Sequence, residues 1–172
     1  MPATYEPIAT YTVGTAVASY TVSSIPATYT DLKVVINAHS ALSPSQDSLW
    51  SIKFNGDTGN NYSTVLIRGN GSTASTLLQN ATSPARIGYA LTDGAGANYY
   101  GLIILDIFSY AGSTYKNYLS TNAADWNGGG YVSRIVGLWS STSAITSFTL
   151  TDNNAANISV GTTITLYGIK AA

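Results

Sequence analysis

The chain has no cysteine, one histidine, one methionine and one glutamate, and only 9% of its 172 residues are charged. Each shortage removes chemistry. Without cysteine there are no disulfides, no thiolate metal ligands and no thiol nucleophile. With His39 as the only imidazole, a Ser-His-Asp triad would need that residue beside a serine, with Asp31 or Asp47 to orient it. No serine sits in a nucleophile-elbow pattern, and the period-two alternation puts His39 on the outward side of a strand end, so it reads as a surface residue. Glycoside hydrolysis requires two carboxylates roughly 5 to 9.5 Å apart. The eight acids are scattered singly, most of them in turn sequences. No enzyme is expected.

Other absences narrow the partners. Seven basic residues against eight acids give a net charge of −1 with no basic face, which argues against nucleic acid. The longest strongly apolar stretch, Leu102 to Phe108, is too short for a bilayer and contains Asp106, so no membrane is expected. The opening Met1-Pro2-Ala3-Thr4-Tyr5-Glu6-Pro7 has neither a basic start nor an apolar h-region and does not read as a secretory signal. Gly94-Ala95-Gly96 and Gly128-Gly129-Gly130 are not followed by Lys-Ser/Thr or by a helical pattern, so no phosphate loop is expected.

What the chain does have is alternation of apolar and hydroxyl side chains. It recurs about every 10 to 15 residues, with turn residues between. The candidate strands are Ile8–Val13, Ala16–Ile25, Leu32–His39, Leu49–Phe54, Tyr62–Arg68, Ala85–Leu91, Tyr99–Phe108, Tyr115–Thr121, Tyr131–Trp139, Ile145–Thr151 and Thr162–Ile169. In the clearest, Trp50, Ile52 and Phe54 share one face and Ser51, Lys53 and Asn55 the other, as a half-buried antiparallel strand requires. Leu102–Phe108 is apolar on both faces and reads as a central strand covered on both sides, with Asp106 needing a Lys, Arg or backbone donor. The fold class expected is all-β: an antiparallel two-sheet β-sandwich of jelly-roll type with about 8–11 strands. Residues 1–172 form a single domain, and Met1–Thr10, with Pro2 and Pro7, reads as an extended N-terminal arm.

Two groups of residues are candidates for binding. Asn55, Asp57, Asn60 and Asn61 are oxygen-bearing side chains along a glycine loop. One carboxylate is too few for an ordinary calcium loop, so Asx-turn chemistry is the expected role and no metal or cofactor site is predicted. The second group is aromatic. Thirteen tyrosines and three tryptophans accompany three phenylalanines, a composition that serves either strand propensity or partly wet contacts with proteins and sugars. Tyr99, Tyr100, Trp126 and Tyr131 fall near loop ends where alternation breaks, and are the candidate interface or glycan contacts. Trp50 and Trp139 sit in regular alternation and are expected in the core.

Four stretches carry a resemblance. They are Tyr20 to Leu32, Phe54-Asn55-Gly56-Asp57-Thr58-Gly59-Asn60-Asn61-Tyr62-Ser63, Trp139 to Thr146, and the ending Thr162 to Ala172. Together they resemble small β-sandwich virion proteins of tailed bacteriophages, including cyanophages and other marine phages, of the capsid decoration or tail-fibre type. The resemblance implies a non-enzymatic virion structural protein, made in the host cytoplasm. The most specific version is a homotrimeric capsid decoration (cement) protein that binds and stabilises the shell of the phage major capsid protein. The alternative is a tail fibre or tailspike module that binds host surface glycan. No catalytic residues are implied.

Overall fold

The computed structural model describes residues 4–170, and among them the chain is all β, with no helix. Twelve strands occur: β1 (Tyr5–Thr12), β2 (Ser19–Val22), β3 (Asp31–Ser40), β4 (Asp47–Phe54), β5 (Tyr62–Gly69), β6 (Ala74–Thr82), β7 (Ala85–Thr92), β8 (Gly101–Ile107), β9 (Lys116–Asp125), β10 (Gly130–Trp139), β11 (Phe148–Asp152) and β12 (Thr163–Ile169). They form one hydrogen-bonded sheet in the order β2-β11-β4-β7-β3-β8-β9-β10-β5-β6, with β12 branching from β3 and β1 pairing β12. All pairings are antiparallel except a two-residue parallel junction, His39 with Leu91 and Ser40 with Thr92, where β3 meets β7. The sheet is therefore mixed, which period-two patterning does not reveal.

Alternation sets the core. Leu32, Val34 and Ile36 on β3 lie opposite Ile107, Leu105 and Ile103 on β8, and all six are fully buried. Trp50, Ile52 and Phe54 turn inward as their spacing predicts, and with Ile87, Tyr118, Ile135, Trp139, Phe148 and Leu150 they belong to one apolar cluster. β7 closes the structure in a different way. Its ladder with β4 carries a bulge between Trp50 and Ser51, and its pairing with β3 covers only two residues. Carbonyls of β7 are satisfied instead by side chains of β9. The Tyr118 hydroxyl donates to Arg86 O (2.7 Å), the Ser120 hydroxyl to Ile87 O, and Asn122 Nδ2 to Tyr89 O (2.8 Å). This accounts for the buried polar residues on an otherwise regular strand.

Several expectations need correction, beginning with the strand number, which is twelve where about 8–11 were expected. β6 is a strand that the alternation did not reveal, and only Ser19–Val22 of the segment 16–25 pairs as one. The segment 102–108 is not covered on both sides, because Leu102 and Phe108 are exposed while Ile103, Leu105 and Ile107 are buried. His39 is not a surface residue: it is 2% exposed, because β7 pairs alongside the end of β3 and Asp93, Tyr99 and Tyr100 close over the imidazole. The partner expected for Asp106 is present, an ion pair with Lys33. Of the proposed arm, residues 1–3 lie outside the described residues, and from Tyr5 the chain enters β1 on its own β12.

Candidate interaction surface

Two hairpin tips frame a groove. In the β9–β10 turn, Asn127 and Gly128 take positive φ (57° and 150°), the Asn127 amide donates to Asp125 Oδ1 (2.8 Å), and the Trp126 amide donates to Gly129 O (3.0 Å). The Trp126 indole folds back over Gly129, where a β-carbon would lie 2.6 Å from the ring. In the β5–β6 turn, Asn70 Oδ1 accepts from the Ser72 and Thr73 amides (3.1 and 2.8 Å), with Gly71 at φ 89°. Between the tips lies a groove of about 680 Å³ with Leu102, Ala123 and Val132 along it and Tyr100 and Tyr131 at its sides.

The four aromatic candidates are thus only partly brought together. Tyr100 and Tyr131 line the groove. Trp126 packs edge-on against Tyr131, with centroids 5.7 Å apart. Tyr99 is not a groove residue: its carbonyl accepts from His39 Nδ1 (2.6 Å), while His39 Nε2 bonds Asp93 Oδ1 (2.9 Å) and Tyr100 lies 5.0 Å from the imidazole. Both ring nitrogens of His39 are engaged by these two oxygens, neither of them from a serine hydroxyl.

Arg68, which sequence reasoning passed over, organises the other side of Tyr131. Its guanidinium lies 4.9 Å from the Tyr131 ring centre and 5.3 Å from that of Tyr89, and it donates to the Tyr89 hydroxyl (2.6 Å) and Ser75 Oγ (3.1 Å). Such cation–aromatic contacts hold a ring in place at low cost when partly desolvated. Burial pushes the Tyr89 hydroxyl pKa up, against the pull of the Arg68 charge. Burial likewise raises the Asp47 carboxyl, again opposed by Arg68. The sequence signal for Arg68 was its place two residues after Leu66 on an alternating strand, which says nothing of three partners from other elements.

The groove opens onto a broad sheet face. Cross-strand register aligns Leu102, Ala123, Val132 and Gly69 in one row, Ile104, Thr121, Arg134, Ile67 and Thr76 in the next, and Asp106, Leu119, Val136, Val65 and Leu78 in a third. On this outer side Leu78 and Val132 are each 61% exposed, and Val65, Ile67 and Val136 are at least half exposed. With Leu102 they present roughly 500 Å² of aliphatic surface, the upper end of what soluble monomers leave uncovered. The charges within the three rows are Arg134 and Asp106, the latter paired with Lys33.

The glycine loop after β4 is structural in its geometry. Asp57 accepts from the Gly59 amide (2.8 Å), from Asn61 Nδ2 (2.9 Å) and from the Trp139 indole (2.7 Å). Asn55 Oδ1 accepts from the Thr146 and Ser147 amides (2.9 and 3.1 Å) and Asn55 Nδ2 donates to Ala144 O (2.7 Å), tying this loop to the one before β11. These oxygens already hold donors, and among the described residues no cluster of three or more His, Cys, Asp or Glu could hold a metal ion. The Trp139 and Asn61 hydrogen bonds lower the Asp57 pKa. A carboxyl with a depressed folded pKa stabilises the fold above its unfolded value near 3.9 and loses that contribution as pH falls through the folded value. The urea midpoint, followed by tryptophan fluorescence, is therefore expected to fall below about pH 4, and Asp57→Asn to flatten that acid limb.

No family model, no curated protein and no solved structure matches this chain.

Proposed function

We propose that this chain is a non-enzymatic virion structural protein of a tailed bacteriophage, of the capsid decoration type. In this role it binds the assembled shell of major capsid protein and bridges neighbouring capsomers. The observation that supports it best is the outer face of β8-β9-β10-β5-β6: a rigid, apolar surface with very few charges, on a protein whose whole surface is poor in charge. Net charge near zero gives a free monomer little colloidal protection, whereas surface that spends its life covered needs none. Binding only the assembled lattice would add to shell stability by mass action, with no chemical step. In the same reading the β2-β11-β4-β7 run is the second sheet of a jelly-roll-type sandwich, its β7 facing β9, and the protein works as a homo-oligomer.

The aromatic groove favours one other reading. Sugar rings stack on exposed aromatic faces, and Tyr100 and Tyr131 flank a groove rimmed by Asn70 and Asp125, as a tail-fibre module for host surface glycan would need. Copy number separates the two. Quantitative mass spectrometry of purified virions is expected to find on the order of hundreds of copies per particle, as lattice mass action demands, and tens or fewer would transfer the assignment to the fibre. Absence from the particle would overturn both.

A further inference from the structure

A sheet has edges, and each edge is a row of unpaired backbone donors and acceptors that proteins ordinarily protect. Three outer strands bound this sheet among the described residues, and two of them are protected. β1 carries Glu6, held by Lys170 (2.8 Å), then Pro7, and a register shift between Pro7 and Ala9. β2 is only four residues long. β6 has none of these devices over most of its length. It runs nine residues, Ala74-Ser75-Thr76-Leu77-Leu78-Gln79-Asn80-Ala81-Thr82, without a charge or a proline. Its irregularity falls at the far end, where its register with β5 shifts near Thr82. Residues on both of its faces are exposed, including Leu77 and Leu78, so among the described residues nothing covers most of its length from either side.

We infer that β6 is a self-association edge, whose occupant is the β6 of a second copy paired antiparallel about a two-fold axis. Three observations select a second copy. A two-fold antiparallel pair keeps like faces on one side and centres on a single residue, as with Leu78 opposite Leu78 and Leu77 opposite Gln79, with Thr76 opposite Asn80 beyond them. Such a strand has no charge, so no register brings like charges opposite one another. The pairing also joins the two outer faces, extending the apolar row that ends at Leu78 into that of the partner copy. A contact of this kind is isologous and closes at two, unlike the three-fold arrangement that the resemblance implies. It is a contact between two strand edges, smaller than a standard specific interface, so the association is reversible with a midpoint on the order of micromolar.

Sedimentation velocity from about 1 to about 200 µM tests this over the relevant affinity range. The wild type is expected to shift from monomer to dimer, with β6 amides gaining hydrogen-exchange protection at the higher concentration. Leu78→Lys, on a side chain already exposed and so dispensable to the monomer, is expected to weaken dimerisation at least about tenfold and leave the circular dichroism melt unchanged. Thr76→Lys, on an exposed hydroxyl of the same strand, is expected to do the same. A monomer at all concentrations, a clean trimer, or a dimer that leaves β6 amides unprotected would each overturn the inference. The virion reading fails on copy number and this one on sedimentation, so the two failures are distinguishable.

Discussion

Replacing Gly137 by alanine is expected to destabilise the protein by about 3 kcal/mol, a large fraction of a margin of about 5–15 kcal/mol. Gly137 on β10 stands directly opposite Tyr118 on β9, and the phenol ring lies over the glycine so closely that a β-carbon would fall 1.9 Å from its Cζ. The ring has nowhere to go. Tyr118 is fully buried, its hydroxyl donates to Arg86 O across the core, and burial pushes its pKa well above the ordinary tyrosine value. Moving it would also strip a β7 carbonyl of its donor. Gly168 is covered in the same way by Tyr29, but that ring is only partly buried and can swing outward, so Gly168→Ala is expected to cost less. Urea unfolding of both variants checks the contrast. If Gly137→Ala costs under about 1 kcal/mol, the packing described for Tyr118 is wrong. Tyr118→Leu should recover part of the loss in the Gly137→Ala background, because the two changes share one contact.

Asp152→Ala is the second large loss, about 3 kcal/mol. Asp152 is 5% exposed and accepts from Ser40 Oγ (2.6 Å), Ser48 Oγ (2.7 Å) and the Asn154 amide (2.7 Å). Around it, the Trp50 indole donates to Ser40 Oγ (2.7 Å) and Asn154 Nδ2 to Ser48 Oγ (2.8 Å). Every buried side-chain polar atom among the described residues has a partner, so removing the central acceptor strands several donors at once. Asp152→Asn keeps one carbonyl oxygen and lets the serine hydroxyls rotate to accept from the new amide, so about 1 kcal/mol is expected. Thermal unfolding with tryptophan fluorescence at Trp50 reads both. An alanine variant no less stable than the asparagine one would show that the network contributes nothing beyond filling space.

The strands were legible in the chain wherever one face met a core and the other met water. Trp50, Ile52 and Phe54 show why: each inward position is apolar and fully buried, so patterning and burial carry the same information. β6 escaped because both of its faces are exposed, and a strand with no buried side has no alternation to display. His39 was misread for the opposite reason. Parity places it outward on β3, but β7 and the Tyr99–Tyr100 segment cover the side that parity assigns to solvent. The groove aromatics were only half visible. Loop-end position identifies Tyr100 and Tyr131, but they lie 31 residues apart and meet only through the pairing of β8, β9 and β10. Arg68 reaches Tyr131 through the β5 ladder.

The amino-acid order by itself determined the all-β class, the position of most strands, the inward face of the half-buried ones and the lack of thiols. These follow from local periodicity and composition, which need no knowledge of neighbours. Only the tertiary structure decided the strand order, the parallel junction at His39 and Ser40, the unprotected edge at β6 and the apolar rows on the outer face. Those depend on which strands lie side by side, and hydrogen bonding between backbones is the same for every residue type but proline, so side-chain pattern cannot encode it directly.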